Sequence, residues 1–169
     1  VGSGNNWYYV DADGKMVTGF QTIAGAKYYF ANSGLMQTGW FKINGEDYYA
    51  ASSGAIQAQW VKSLSNWYYV NDEGLILTGD QVINGRQYYF NEDGIMYTGW
   101  MQVGNQWKYY SQGTLKIYGK TFVDGEKVTG WLPLGNRWYY IANDDYMVTG
   151  YYKVGNSTYY FDENGLMKT

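Results

Sequence analysis

The sequence predicts an all-β fold, a β-solenoid of about eight tandem β-hairpin repeats of about 20 residues each. The first observation is a Tyr-Tyr pattern with a spacing of 20 residues, which begins at Trp7, Lys27, Asp47, Trp67, Gln87 and Trp107 and resumes at Trp138 and Thr158. The second is a Thr-Gly-aromatic pattern in phase with it, at residues 18–20, 38–40, 98–100, 129–131 and 149–151. A unit this short cannot bury its own apolar face, so neighbouring units are expected to stack. No segment shows the period of about 3.6 residues that indicates a helix.

Each repeat has the residue pattern of one hairpin. Two short runs of β-branched and aromatic residues flank a two-residue turn, such as Asn44-Gly45 or Gly104-Asn105. Asn-Gly is a strong hairpin signal because both central residues must accept a positive φ. A second turn, which ends at a glycine such as Gly54, follows each second strand and leads the chain into the next hairpin. Pro133 falls in a first strand, where an edge position tolerates it.

The repeat is interrupted once. Trp107 and Trp138 are 31 residues apart instead of 20, which places 11 additional residues in the region 111–130. We therefore predict a single repeat array over residues 1–169 with an irregular insertion near 111–130. The segment from Val1 to Trp7 resembles the middle of a hairpin, and the pattern is cut again at Thr169. The chain is accordingly expected to be an excerpt of a longer protein, with any catalytic domain or export signal elsewhere.

Composition excludes several functions. The 169 residues include 21 Tyr and 8 Trp, enough apolar surface to offset the entropy of folding, but no His and no Cys. Imidazole and thiolate catalysis and the usual zinc ligand sets are therefore excluded, and neither a metal nor a cofactor is expected. A net charge of −3 provides no basic surface for nucleic acid. No apolar run reaches the roughly 18 residues of a membrane span, so membrane insertion is not expected.

The carboxylates do not form a catalytic pattern. Most of the 15 acidic residues fall in the turns between hairpins, as Asp72 and Glu73 do. A glycosidase needs two carboxyl groups in different environments at a set separation, and no pair here is singular. The chain is therefore not expected to be an enzyme.

Large aromatic residues gather on one face of several hairpins. Because side chains alternate along a strand, Trp100, Trp107 and Tyr109 are predicted to share a face, with the indoles as diagonal neighbours. The same register gives two further pairs, Trp131 with Trp138 and Trp60 with Trp67. Regular aromatics in such an array are mainly packing between hairpins, which we expect for the second Tyr of each pattern and the apolar residue after it. Two indoles at a rim instead leave an open box of π faces that suits a quaternary ammonium ion.

The repeats resemble the cell-wall-binding repeats of choline-binding proteins. The resemblance rests on units such as residues 130–150, with Gly130-Trp131 and Trp138-Tyr139-Tyr140, and it covers nearly the whole chain. It implies a solenoid of hairpins that binds the choline of teichoic acids between consecutive hairpins. In that family the ligand is held by the Gly-Trp indole, the Trp of Trp-Tyr-Tyr and an aromatic residue of the following unit, often near a methionine.

Carried over to this sequence, the resemblance implies one complete choline site, formed by Trp131, Trp138 and Tyr151 with Met147 as the accessory residue. The other candidates lack one ring. They are Trp100 with Trp107, followed by Lys120 where the third ring is expected; Trp60 with Trp67, followed by Asp80; and Trp40, with Asp47 in place of the middle indole.

The resemblance also implies a location and a partner. We expect a secreted module on the surface of a Gram-positive cell, attached non-covalently to the wall through choline-bearing teichoic acid, with choline as its ligand. Two alternatives stay open. Units without the second Trp, such as residues 22–30, also resemble the glucan-binding repeats of glucosyltransferases and the clostridial toxin repeats, so an α-glucan or another polysaccharide is an alternative ligand. The second alternative is a spacer or adhesion surface that recognises a protein. It is motivated by Asp80 and Lys120, which stand where a third ring is expected.

Overall fold

The regular structure consists of β-strands. The computed structural model describes residues 2, 3 and 6–168, with side chains for 6–168, and Val1, Gly4, Asn5 and Thr169 lie outside the described residues. Within that range there is no helix long and apolar enough to cross a membrane. The strands are β1 (Gly2–Ser3), β2 (Asn6–Trp7), β3 (Gly19–Ile23), β4 (Ala26–Phe30), β5 (Gly39–Ile43), β6 (Glu46–Ala50), β7 (Gln59–Ser63), β8 (Asn66–Val70), β9 (Gly79–Ile83), β10 (Arg86–Phe90), β11 (Gly99–Val103), β12 (Gln106–Tyr110), β13 (Leu115–Ile117), β14 (Lys120–Phe122), β15 (Gly130–Leu134), β16 (Arg137–Ile141), β17 (Gly150–Val154), β18 (Ser157–Phe161) and β19 (Met167–Lys168).

Consecutive strands pair as antiparallel hairpins. In β5–β6 the register runs from Gly39 opposite Ala50 to Ile43 opposite Glu46. The turn residues Asn44 and Gly45 have φ angles of 53° and 91°, the positive values that the Asn-Gly signal predicts. The same five-residue ladder recurs in β3–β4, β7–β8, β9–β10, β11–β12, β15–β16 and β17–β18. The predicted all-β array of tandem hairpins is confirmed.

The insertion forms a shorter hairpin of its own. β13 and β14 pair from Leu115 opposite Phe122 to Ile117 opposite Lys120. Their turn is Tyr118-Gly119, with φ angles of 46° and 80°. The additional residues predicted near 111–130 therefore build a regular element beside the repeats.

The chain divides into two compact units. The first unit comprises Val1–Thr78 and Glu92–Ile95, and the second comprises Gly79–Asn91 and Met96–Thr169. In both, the apolar residue that ends the Tyr-Tyr pattern is buried in every repeat except the first, where Val10 is 39% exposed. The buried residues, which confirm the predicted packing role, are Phe30, Ala50 and Val70 in the first unit, and Phe90, Tyr110, Ile141 and Phe161 in the second.

In several repeats the residue just after the inter-hairpin turn bridges two hairpins. In the second unit the Met147 N–H donates to the Trp107 carbonyl at 2.7 Å, and the Val148 N–H donates to the Tyr140 carbonyl at 3.0 Å. In the first unit the Met36 N–H donates to the Trp7 carbonyl at 2.8 Å. These bonds decide which methionine lies beside which indole.

Candidate functional site

The second unit contains an open aromatic pocket, the Trp107 pocket. Its volume is about 350 Å³, and its lining residues are Trp100, Trp107, Tyr139, Met147, Glu163 and Asn164. The first two come from β11 and β12, Tyr139 comes from β16, and the others come from the turns that follow β16 and β18. Three successive five-residue hairpins thus contribute to one pocket, although 11 inserted residues separate the first two in sequence.

Ring contacts fix the orientation of the first indole. Trp100 meets Tyr109 of its own hairpin at a centroid distance of 4.9 Å and an interplanar angle of 68°. It meets Tyr139 at 5.1 Å and 67°. Burial raises the pKa of Tyr109, so this phenol stays neutral behind the indole. The walls therefore meet at a steep angle and enclose a space rather than forming a flat platform.

The Met147 side chain reaches the pocket because of two local features. Its N–H is bonded to the Trp107 carbonyl, which places the thioether next to that indole. Gly165 lies on its other side with a φ of 73°, and a Cβ at that glycine would overlap the Met147 Sδ. The turn therefore needs glycine both for its backbone conformation and for the space that the methionine occupies.

A carboxylate gives the pocket its charge. Glu163 is exposed and is the charged side chain among the described lining residues. A negative group beside aromatic faces attracts a cation and repels an anion. The electrostatics and the ring quadrupoles therefore favour the same kind of ligand.

An equivalent arrangement, the Trp7 pocket, lies in the first unit. Its volume is about 480 Å³, and Trp7, Tyr28, Met36, Ser52 and Ser53 are among its lining residues. Trp7, Tyr28, Met36 and Ser52 have the spacing of Trp107, Tyr139, Met147 and Glu163 once the 11 inserted residues are subtracted. The position that corresponds to Trp100 precedes residue 1. This pocket was not predicted from the sequence. A signal for it was present, because the spacing between a Trp, the first Tyr of the next repeat and a Met recurs.

Comparison with known proteins decides the family. Residues 17–59, 77–121 and 124–169 match the family model described as a choline-binding repeat. The chain belongs to the choline-binding repeat family. Residues 3–16 and 59–76 match a model described as a cell wall binding repeat. The matched residues thus form a binding module.

Two solved structures from Streptococcus pneumoniae have the same fold. CbpJ is 31% identical, with a TM-score of 0.79 over 97% of this chain and 63% of that chain. Choline binding protein F is 28% identical, with a TM-score of 0.81 over 100% of this chain and 56% of that chain. The chain therefore spans less than two thirds of either protein. No curated protein matches the sequence.

The structure regroups the residues expected to form the complete choline site. Trp131 and Trp138 do share a face, with centroids 6.0 Å apart and rings at 83°. Two rings of the next hairpin contact Trp131, Tyr159 at 4.9 Å and the buried Phe161 at 6.2 Å. Tyr151 is 81% exposed, and its ring contact is Tyr160. The expected grouping is corrected accordingly: Tyr159 takes the place of Tyr151, and Met147 lines the Trp107 pocket.

The correction has a simple physical reason. Tyr151 pairs with Tyr160, and Tyr152 with Tyr159, so the two pairs point to opposite faces of one hairpin. Each hairpin of the choline-binding repeat has one face that carries the Trp residues and an opposite face. When hairpins stack, the Trp face of one contacts the opposite face of the next. The third ring must therefore come from the face that Tyr151 does not share. By the same rule, the third ring beside Trp100 is Tyr139, and Lys120 lies elsewhere, in β14.

Charged side chains of the chain lie at or beside the remaining predicted candidates. Trp60 and Trp67 meet edge to face at 6.4 Å, but the Lys62 ammonium lies 5.3 Å from the centroid of the Trp67 ring. Trp40 contacts Tyr68 at 5.1 Å. Asp47, at the position of the middle indole in that hairpin, forms a 2.7 Å ion pair with Lys42.

At two repeat positions a lysine replaces a pocket residue. Lys27 has the position that Trp107 has in its repeat, and its ammonium lies 3.9 Å from Glu73. Lys127 has the position of Met147, since its N–H donates to the Gln87 carbonyl at 2.8 Å. Its side chain is 9% exposed and pairs with Asp145 at 2.5 Å. At each of these repeat positions the chain therefore supplies a cation of its own that is paired with a carboxylate, and at Lys127 that cation is buried.

Proposed function

We propose that the chain binds choline in the Trp107 pocket, with the quaternary ammonium group against Trp100, Trp107 and Tyr139. The observation that carries the proposal is an open pocket of three rings and a thioether with a carboxylate beside it. A trimethylammonium group has no N–H to donate, so ring quadrupoles and methyl contacts must hold it. The lining supplies both, and Glu163 adds a favourable charge.

The ring geometry favours choline over a glucan as the ligand. A sugar ring stacks on an exposed flat aromatic face, whereas Trp100 is held at 67° and 68° to its two tyrosine neighbours. Such walls enclose a compact, roughly spherical group. A crystal structure of choline binding protein F in complex with ipratropium, a quaternary ammonium compound, has also been obtained by soaking.

The magnitudes require more than one site. Three rings at about 0.5–2 kcal/mol each supply about 2–6 kcal/mol. Because association has its own entropic cost, one pocket should bind choline with a dissociation constant on the order of millimolar. We infer that the Trp7 pocket is a second site, and that two sites on a polymer with many cholines give avidity.

The family also supports a cellular role. We infer that the module anchors a larger secreted protein to the surface of a Gram-positive cell by holding choline-bearing teichoic acid. Any catalytic domain would lie in the rest of that protein. The support is the match to choline-binding and cell wall binding repeats and the partial coverage of CbpJ and choline binding protein F.

The test is a titration followed by the eight Trp indole N–H resonances in nitrogen–proton spectra. Choline should shift the Trp100, Trp107 and Trp7 resonances with midpoints on the order of millimolar. The neutral isostere 3,3-dimethylbutan-1-ol has the same shape without the charge and should bind much more weakly, because the cation–π term is absent. Equal midpoints for the two compounds, or shifts with dextran and none with choline, would refute the proposal.

A further inference from the structure

Four methionines share one position of the repeat. Each follows an inter-hairpin turn and forms an isolated bridge with the residue that precedes that turn, as Met147 does with Ile141. Each thioether also lies against a glycine of the next turn, so closely that a Cβ at that glycine would overlap the sulfur. The four are Met16, Met36, Met96 and Met147. The sulfur is therefore covered on the glycine side, and what lies on its other side decides which reagents can reach it.

The other side of the sulfur differs among the four methionines. Met147 and Met36 are half-buried and line the Trp107 pocket and the Trp7 pocket, respectively. Met96 is only 9% exposed, whereas Met16 is 51% exposed and does not line either pocket. A small solute that enters one of the two pockets therefore meets a methionine in its wall.

Methionine is the oxidisable sulfur of this chain. The sequence contains six Met and no Cys, so a peroxide has no thiol to react with. The sulfur lone pair attacks one oxygen of hydrogen peroxide, and an S–O bond forms as the O–O bond breaks. The proton of the transferred oxygen passes to the departing hydroxide, which leaves as water, so sulfur is oxidised by two electrons and the peroxide is reduced. Methionine sulfoxide reductases reverse the change.

We propose that Met147 and Met36 are reversible oxidation sites, and that their conversion to the sulfoxide by a peroxide weakens choline binding in the Trp107 and Trp7 pockets. The proposal rests on the choline binding proposed above.

The covered side of the sulfur gives the reason for the loss of affinity. Gly165 closes one side of Met147, so an added oxygen either projects into the pocket or forces the side chain out of the wall. In the first case a hydrated S–O dipole occupies space that the methyl groups of choline need, and it loses water when the ligand binds. In the second case the apolar thioether contact is lost.

The first test measures which methionines a peroxide modifies. The whole chain is treated with dilute hydrogen peroxide, and peptide mass spectrometry follows the gain of one oxygen atom at each methionine over time. Met147 should be oxidised faster than Met96, which has the same repeat position but is buried. Saturating choline should slow oxidation of Met147 and Met36 and leave the rate at Met16 unchanged. Slower oxidation of Met147 than of Met96, or equal protection of Met16, would overturn the proposal.

The second test measures the consequence for binding. In the oxidised chain the choline midpoints of the Trp107 and Trp7 resonances should rise by about 2- to 30-fold, the range for burying one polar group without full compensation. Methionine sulfoxide reductases of both epimer specificities, with a thiol reductant, should restore the original midpoints. The reductant has no disulfide to act on, because the chain contains no Cys.

Two substitutions assign the effect to one sulfur. In Met147→Leu, peroxide should leave the Trp107 midpoint at its untreated value and still raise the Trp7 midpoint. Leucine is close in volume to methionine, and Ile56 shows that an aliphatic side chain fits this repeat position. Met96→Leu is the matched control and should retain the peroxide effect at Trp107.

Failure of this proposal can be distinguished from failure of choline binding. Equal Trp107 midpoints before and after complete oxidation of Met147, or an unchanged peroxide effect in Met147→Leu, would overturn the oxidation site and leave choline binding intact. If choline shifted no Trp resonance in the untreated chain, both proposals would be overturned.

Discussion

The substitution Tyr139→Leu tests which aromatic residue completes the Trp107 pocket. The structure places Tyr139 against Trp100 at 5.1 Å, whereas the family pattern read from the sequence places the third ring at the first aromatic position of the following unit. Leucine retains an apolar side chain but removes the π face. The variant therefore reports on cation–π attraction more than on loss of packing.

The expected magnitude follows from one ring contact. A ring over a cation contributes about 0.5–1 kcal/mol at an exposed site and about 2 kcal/mol when desolvated. Since 1.4 kcal/mol corresponds to a factor of ten, Tyr139→Leu should weaken choline binding at this pocket by about 2- to 30-fold. Tyr151→Leu should leave binding unchanged, because Tyr151 is 81% exposed and contacts Tyr160.

The assay is site-resolved within one molecule. The Trp107 resonance reports the altered pocket, and the Trp7 resonance reports the equivalent pocket in the other unit, which should keep its midpoint. Circular dichroism before each titration confirms that the variant is folded. A loss of affinity at the Trp138 resonance in Tyr151→Leu, with none at the Trp107 resonance in Tyr139→Leu, would refute the stacking geometry and restore the grouping drawn from the sequence.

Three further predictions follow from the charge, the turn and the buried phenol. Glu163→Gln should weaken choline binding at the Trp107 pocket by about 1.5- to 5-fold at low salt, and Ser52→Glu should strengthen it at the Trp7 pocket, both measured by the same titration. Gly165→Ala should lower the unfolding free energy in denaturant more than Gly155→Ala does. Both glycines have positive φ, so each alanine costs about 1–2 kcal/mol, but a Cβ at Gly165 also displaces the methionine in the pocket, whereas nothing lies within 4 Å at Gly155. Burial, followed by the nearby carboxylates, raises the pKa of Tyr110, so its protonated phenol adds stability that is complete below the unfolded pKa of about 10 and is lost as pH rises through the folded value. Alkaline unfolding followed by circular dichroism should therefore begin above pH about 10, and Tyr110→Phe should reduce this pH dependence.

Geometry within a hairpin was predictable from the sequence, but geometry between hairpins was not. The pleat and the two-residue turn fix which side chains share a face, and Trp131 with Trp138 is one such pair. The face presented by the next hairpin depends on how the units stack, which the repeat period does not encode. For that reason Tyr159 and Tyr139 were missed as third rings. The insertion showed a similar limit: its position was evident, but not that its turn would bring Tyr118 to Trp138.

The gaps that hold a lysine explain why the pockets are unequal. Stacking leaves a gap beside the second strand of a hairpin. Where aromatic rings line that gap they bind a cation only weakly, so the gap is solvated when no ligand is bound. Where Lys127 enters such a gap and pairs with Asp145, the chain supplies both the cation and its partner, and the packing no longer depends on a ligand. Lys27 pairs with Glu73 at the equivalent of the Trp107 position in the first unit, at 3.9 Å and with both side chains more exposed. We therefore expect ligand binding at the gaps that keep their rings, such as the Trp7 and Trp107 pockets. Avidity on a polymer then depends on how many pockets each chain retains, because the affinity of one pocket is limited to that of a few ring contacts.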